Sequence, residues 1–142
     1  MRNRFALTCL IFLAAAATTF AQGGPRVPHA YDPVTETTIT GTVEDVLHPP
    51  ANNGMVGTHV NLKTQDGVIE VHVGPEAFIA KQNFSIEKGD TLSVTGSKQV
   101  IAEKNVLIAR EVKKGDKVLT LRDANGIPKW SRRSSSSSST NQ

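Results

Sequence analysis

The architecture of this chain follows from one central segment, Thr58-His-Val-Asn-Leu-Lys-Thr-Gln-Asp-Gly-Val-Ile-Glu-Val-His-Val-Gly74. Two runs of alternating apolar and polar residues flank Asp66-Gly67, and an Asp-Gly pair is a strong signal for a primed two-residue hairpin turn. With this turn, Lys63 lies opposite Glu70. One face of the hairpin then carries only apolar side chains: Val60, Leu62, Ile69, Val71 and Val73. The other face is polar and carries His59, Asn61, Lys63, Glu70 and His72.

The segments on either side of the hairpin complete a small β-rich domain. The sequence predicts a first strand before the hairpin, interrupted by Gly41 as a bend, and two or three strands after it. Residues 75–83 carry apolar side chains at helical spacing, which predicts one short helix between strands three and four. This order is that of an OB-fold, a small Greek-key barrel. We therefore predict an all-β, OB-fold-like domain over residues 35–130, because an SH3-like barrel or a small sandwich leaves the helix unexplained.

The N-terminal residues have the pattern of an export signal. Two arginines precede an apolar run over positions 5–17, and small residues at Thr19 and Ala21 fit a cleavage site. We predict a signal peptide over residues 1–21 and a mature chain that begins at Gln22. The protein is then periplasmic or secreted, and a retained membrane anchor is the alternative.

Two further segments flank the predicted domain. Residues 22–34 are rich in proline and glycine and predict an extended leader. Residues 131–142 contain two arginines and a run of serines without any apolar side chain, which predicts a disordered tail.

Charge and cysteine content exclude several classes of protein. The chain has 16 basic and 13 acidic residues, for a net charge of +3; without the two arginines of the signal peptide the counts are 14 and 13, or +1. Such a nearly neutral domain lacks the basic surface of a nucleic-acid-binding protein. Cys9 is the only cysteine and lies inside the predicted signal peptide. The mature chain therefore has no thiol nucleophile, disulfide or thiolate metal site.

Four segments resemble a known family of exported bacterial domains. They are Thr40-Gly-Thr-Val-Glu-Asp-Val46, Gly89-Asp-Thr-Leu-Ser-Val-Thr-Gly-Ser97, Leu107-Ile-Ala-Arg-Glu-Val112 and Leu121-Arg-Asp-Ala-Asn-Gly-Ile-Pro-Lys-Trp130. They are similar to the OB-like domain shared by the magnetosome-associated proteins MamS and MamX, and more loosely to the bacterial OB-fold family of small periplasmic proteins. The resemblance implies an OB-like fold and an exported protein. Proteins of the MamX type also carry Cys-x-x-Cys-His haem motifs, and this sequence has none. The resemblance therefore implies no haem and no electron transfer here.

The polar face of the hairpin holds the candidate metal ligands. In the predicted register His59 and His72 are diagonal neighbours, about 7–8 Å apart at the backbone. Imidazoles bind divalent transition metals, but a site usually needs three or four ligands. His48 is the predicted third ligand, because its proline-rich loop can fold over this face. The alternative is a solvated polar face that binds no metal.

Other positions are candidate ligand contacts. Asn61 lies on the same face as His72, and both are predicted contacts for a small ligand. Arg110 interrupts an apolar strand and is a candidate anchor for an anion; the alternative is a guanidinium paired with a carboxylate at the barrel rim. Trp130 is predicted to plug one end of the barrel.

No sequence signature of an enzyme is present. The sequence contains no nucleophile elbow, zinc-protease motif or phosphate loop, so we predict no catalytic residue. The mature aromatic residues fall outside the predicted polar face, which argues against nucleic-acid binding by base stacking. We predict an exported, non-catalytic binding or accessory module of the bacterial cell envelope, without a cofactor, that recognises a small molecule or an envelope protein. The alternatives are a periplasmic metal-handling protein that uses the hairpin histidines and a structural envelope domain.

Overall fold

The computed structural model describes residues 31–51 and 54–131. The predicted signal peptide, most of the leader and residues 132–142 of the predicted tail lie outside the described residues. A 3-10 turn (Pro33–Thr35) is followed by six strands and one α-helix. In chain order these are β1 Glu36–Leu47, β2 Gly57–Thr64, β3 Gly67–Pro75, α1 Glu76–Lys81, β4 Thr91–Ile101, β5 Lys104–Lys114 and β6 Lys117–Thr120. The predicted order of elements is confirmed.

The strands close into a barrel. Their order in the sheet is β3-β2-β1-β4-β5-β6, and a parallel pairing between β3 and β5 closes strands β1 to β5 into the barrel. β1 pairs first with β4 over residues 36–42 and then with β2 over residues 42–47. Gly41 lies where β1 passes from one partner to the other, and a Cβ atom there would stand 2.3 Å from the Lys63 carbonyl oxygen. A closed barrel of β1 to β5 with a helix between β3 and β4 is the OB-fold, so the predicted fold class is confirmed.

The apolar face of the central hairpin forms one wall of the core. Val60, Leu62, Val71 and Val73 are at most 1% exposed, and Ile69 packs against them. Burial of each such side chain stabilises the fold by about 1.5–3 kcal/mol. The other large side chains that are fully buried come from the remaining strands and from the segment after β6: Val43, Leu92, Val94, Leu107, Ile108, Val112, Leu119 and Leu121.

The register of the hairpin differs from the prediction by two residues. Thr64 pairs with Gly67, so that Gln65 and Asp66 are the turn residues. Of these four residues only Gly67 has a positive φ, 120°, whereas a primed turn needs positive φ within the turn itself. The Thr64 hydroxyl accepts from the Asp66 N–H at 3.2 Å and donates to the Gly67 carbonyl at 2.8 Å, and these bonds stabilise the observed turn. A shift of two residues preserves the alternation, so both faces are as predicted while every cross-strand pair changes.

A turn with positive φ lies instead between β4 and β5. Ala102 and Glu103 have φ values of 49° and 66°, and Ile101 pairs directly with Lys104 across the turn. This tight connection joins β4 directly to β5 at Ile101.

Candidate metal centre

His59 of β2 and His72 of β3 face each other directly on the outer surface of the barrel. Their rings are stacked, with centroids 3.8 Å apart and planes inclined by 16°. The predicted diagonal arrangement is wrong, because the register shift places the two histidines in one cross-strand pair. A β-bulge adjoins the pair: Thr58 pairs with Gly74, which leaves Val73 without a direct partner. Bulges of this kind are common beside functional sites, where they re-aim side chains.

Glu70 supplies the third polar group of this face. It lies two residues before His72 on β3, and its side chain therefore points to the same side of the sheet. Its Oε1 accepts a hydrogen bond from His59 Nδ1 at 2.8 Å and one from His72 Nε2 at 3.0 Å. The predicted opposition of Lys63 and Glu70 is wrong; the Lys63 ammonium lies 3.7 Å from the Glu44 carboxylate.

The three side chains are partly withdrawn from solvent. The side chains of His72, His59 and Glu70 are 13%, 24% and 28% exposed. This burial raises the pKa of Glu70, but the hydrogen bonds from His59 and His72 outweigh it, so that the pKa lies below its usual range. The carboxylate is consequently ionised at neutral pH, which is the form that binds cations.

The geometry of the three groups fits a metal ion. Their ligand atoms all lie within 4.8 Å of one another, and within residues 31–51 and 54–131 they are the one such group of three or more. A tetrahedral zinc ion with bonds of about 2.0–2.1 Å holds its ligand atoms about 3.3 Å apart. The observed N–O separations of 2.8 and 3.0 Å are slightly shorter. Coordination of a metal would replace the two shared protons, and the stacked rings would have to turn so that both nitrogens point at the ion.

A cleft of about 160 Å³ lies beside the histidine pair. Its lining includes both rings, the glycines Gly57 and Gly74, and Arg122, which follows β6. Pockets for drug-sized ligands span about 300–1,000 Å³. This cleft is therefore of a size for an ion and a small polar group.

Two backbone carbonyl groups hold the Arg122 side chain in place. Its Nε donates to the Ala109 carbonyl at 3.2 Å and its Nη1 to the Gly126 carbonyl at 3.3 Å. The guanidinium carbon lies 5.0 Å from the Trp130 ring centroid and 6.0 Å from that of Tyr31. Burial lowers the pKa of Arg122 from its usual value, yet the group remains charged.

The other predicted site residues lie outside this centre. His48 Nδ1 is 3.9 Å from the Glu76 carboxylate, so the third member of the histidine group is Glu70 and not His48. Asn61 pairs with Glu70 across the strands and borders a separate shallow cleft with Asp45.

Arg110 is paired with a carboxylate, as the alternative interpretation held. Its Nε and Nη2 donate to the two oxygens of Glu36, each at 2.8 Å, and the Tyr31 hydroxyl also donates to Glu36. Hydrogen bonding to Glu36 raises the pKa of Arg110, and hydrogen bonding to Arg110 lowers that of Glu36. Burial and then Glu36 raise the pKa of Tyr31 to about 12. The guanidinium of Arg110 is thus engaged within the protein.

Two residues of the site were not predicted as ligands. The predicted register pairs Glu70 with Lys63. Glu70 nevertheless lies two residues before His72, so the two side chains share one face of the sheet in either register. Arg122 falls in the Leu121–Trp130 segment, one of the four that carry the family resemblance. No periodicity in the sequence indicates that this segment returns to the hairpin.

The fold and the site define a small OB-type barrel with a histidine- and carboxylate-lined outer face. The chain matches the MamS/MamX magnetosome protein family over residues 35–119, more than half of its length, and it belongs to this family. The predicted resemblance is confirmed. No curated protein matches the chain. The described part of the chain contains no helix with the length and hydropathy needed to cross a membrane.

Several solved structures are similar to the barrel at low sequence identity. The single-stranded DNA binding protein from Thermus aquaticus is 17% identical with a TM-score of 0.48, over 58% of this chain and 41% of that protein. The N-terminal domain of PriB from Thermoanaerobacter tencongensis is 11% identical with a TM-score of 0.48, over 59% of this chain and 99% of that domain. The Stn1-Ten1 complex of S. pombe is 14% identical with a TM-score of 0.45, over 58% of this chain and 59% of the other. The chain spans about two fifths of the first of these proteins, and the fold assignment rests on the strand order given above.

Proposed function

We propose that this domain is a binding module for a divalent transition-metal ion, held by His59, Glu70 and His72. The observation that carries the proposal is the convergence of both imidazoles on one carboxylate oxygen. Two histidines and a carboxylate are a ligand set for first-row transition metals. Three protein ligands leave at least one coordination position open, so the ion remains accessible to a further ligand.

The position of the site in the fold supports a binding function. OB-folds bind their ligands on the face of strands two and three. His59 lies on β2 of this barrel, and Glu70 and His72 lie on β3. This position on strands β2 and β3 supports a binding role for the three side chains.

Nucleic acid fits this surface less well than a metal does. The ionised Glu70 lies at its centre and repels phosphates. The aromatic side chains are engaged elsewhere: Phe84 is buried in the core, and Phe78 packs on Trp130 with ring centroids 5.4 Å apart. These rings are thus withdrawn from the face on which bases would stack.

Metal titration tests the proposal directly. Zinc or copper is added to the protein isolated after expression of the full chain, while the histidine signals are followed by NMR. Simultaneous shifts of His59 and His72 at micromolar metal support the site. Signals that stay unmoved up to millimolar metal refute it and favour a solvated polar face in a structural envelope domain.

Three variants and one matched control assign the ligands. Replacement of a residue that hydrogen-bonds to a metal ligand costs about 10–100-fold in metal affinity, so loss of a ligand itself should cost at least about 100-fold. We expect this loss for His59→Gln, Glu70→Gln and His72→Gln. His48→Gln is the control, because His48 is an exposed histidine beside Glu76 and outside the group. An equal loss in His48→Gln would show that the affinity does not depend on the proposed geometry.

We also propose that the domain is exported to the periplasm or beyond. The support is the sequence pattern of residues 1–21, a basic start followed by an apolar run and a small-residue cleavage site. Intact-mass analysis of the protein from the cell-envelope fraction should show a chain that begins at Gln22. A full-length mass confined to the cytoplasm would contradict this.

A further inference from the structure

We propose that the metal centre is one half of a two-part site, in which the bound metal and Arg122 together bind a small oxyanion. This inference rests on the proposed metal-binding function and specifies the ligand that completes it. The structural basis is the 160 Å³ cleft, because His59, His72 and Arg122 all line it. The ligand class is a carboxylate or a tetrahedral oxyanion such as sulfate or phosphate.

The guanidinium of Arg122 retains the capacity to bind an anion. Among the described residues no carboxylate forms an ion pair with it, and its Nη2 makes no hydrogen bond. Its other two nitrogens bond to carbonyl oxygens, which do not neutralise its charge. Arg110 provides the contrast, since it is paired in a bidentate manner with Glu36. Arg122 is therefore the arginine of this barrel that is suited to an external oxyanion.

The guanidinium is also pre-organised. The Trp130 ring and, at longer distance, the Tyr31 ring lie against it, and two backbone carbonyls fix its plane. A fixed guanidinium loses little conformational entropy when a ligand binds, and its paired N–H groups match the oxygens of an oxyanion. One oxygen of the ligand can thus accept from Arg122 while another coordinates the metal.

The charges make oxyanion binding depend on the metal. Without metal, the ionised Glu70 lies beside the cleft and opposes a second anion. A divalent ion bound by one carboxylate and two neutral imidazoles retains one net positive charge, and Arg122 adds another. The metal therefore raises the combined charge of these groups from zero to plus two, and this strengthens the attraction for an oxyanion. By thermodynamic reciprocity, the oxyanion must raise the affinity for the metal by the same factor.

The experiment measures this coupling on the protein isolated after expression of the full chain. Zinc affinity is determined in perchlorate and again after sulfate, or in a second series acetate, replaces the perchlorate at constant ionic strength. We expect sulfate or acetate to raise the zinc affinity at least about fivefold, the lower end of usual coupling between sites. An effect of sulfate alone identifies a tetrahedral oxyanion, and an effect of acetate as well identifies carboxylates as ligands.

Two variants and a charge-matched control assign the effect to Arg122. Arg122→Gln should lose the enhancement, measured against the zinc affinity of the same variant in perchlorate, while Arg122→Lys should keep part of the enhancement. Lys117→Gln removes one positive charge from an exposed position on β6 and should keep all of it. If Arg122→Gln fails to fold, the wild-type coupling and Arg122→Lys decide the question.

Two results would overturn the inference without affecting the metal site. One is an equal zinc affinity in perchlorate, sulfate and acetate for the wild-type protein. The other is an enhancement of undiminished size in Arg122→Gln, which would show that the oxyanion contacts the metal alone. Absence of zinc binding under every condition would instead refute the metal-binding function, so the two failures are distinguishable.

Discussion

Replacement of Gly41 by alanine should destabilise the barrel more than any other single added methyl group on β1. A Cβ atom at this position would stand 2.3 Å from the Lys63 carbonyl oxygen and 2.9 Å from Leu62 Cγ. Ordinary contacts of a Cβ atom begin at 3.4 Å, so the backbone of β2 must retreat by about 1 Å. Leu62 is fully buried and cannot swing into solvent.

The expected loss follows from the contacts that this retreat disturbs. Overpacking that moves backbone costs about 1–3 kcal/mol. Each hydrogen bond weakened between β1 and β2 adds about 1 kcal/mol. We expect Gly41→Ala to lower the free energy of unfolding by about 3–4 kcal/mol, a large part of the roughly 5–15 kcal/mol of a typical domain.

Gly57→Ala on the neighbouring strand is the matched control. A Cβ atom there would meet nothing closer than 3.5 Å, which is ordinary contact. The alanine also restricts the unfolded chain, so this variant should be neutral or more stable by about 0.4–1 kcal/mol. Guanidinium unfolding of both variants, read as midpoint and slope, measures the difference. If Gly41→Ala loses no more stability than Gly57→Ala, the close approach of β1 and β2 does not explain the need for glycine at position 41.

Two further predictions concern the C-terminal residues and the dependence of stability on pH under acidic conditions. Deletion of residues 132–142, which contain no apolar side chain, should change the free energy of unfolding by less than about 0.5 kcal/mol. Deletion of residues 130–142 also removes Trp130, which packs against the core, and should lower the free energy of unfolding by about 3 kcal/mol. Coincident denaturation curves for the two truncations would refute this prediction. The hydrogen bond from Lys114 at 2.7 Å lowers the pKa of Asp90 in the folded protein. This pair therefore stabilises the fold at pH values above the pKa that the carboxyl has in the unfolded chain. The stabilisation is lost as the pH falls through the pKa of Asp90 in the folded protein. Lys114→Gln should therefore lose less stability than the wild type between pH 5 and pH 2 in thermal melts, and parallel pH profiles would contradict the assignment.

Local sequence patterns were sufficient to assign the two faces of the central hairpin. Side chains alternate strictly along a strand, so the apolar set from Val60 to Val73 could lie only on the core side. The same alternation placed His59, Glu70 and His72 together on the outer side, and it holds for any register that shifts by two residues. The helix after β3 and the bend at Gly41 were likewise visible as local patterns.

Register and partners required the tertiary structure. The choice between a turn at Asp66-Gly67 and one at Gln65-Asp66 depends on a few side-chain hydrogen bonds of Thr64, each of about 1 kcal/mol, which no periodicity reveals. That choice alone turned a predicted Lys63–Glu70 pair into a glutamate shared by two histidines. Arg122 joins this site through closure of the barrel, since β3 pairs with β5 and the chain after β6 folds back along β5. Contacts between residues fifty positions apart in the chain depend on how whole strands pack together. Local sequence patterns therefore do not predict them.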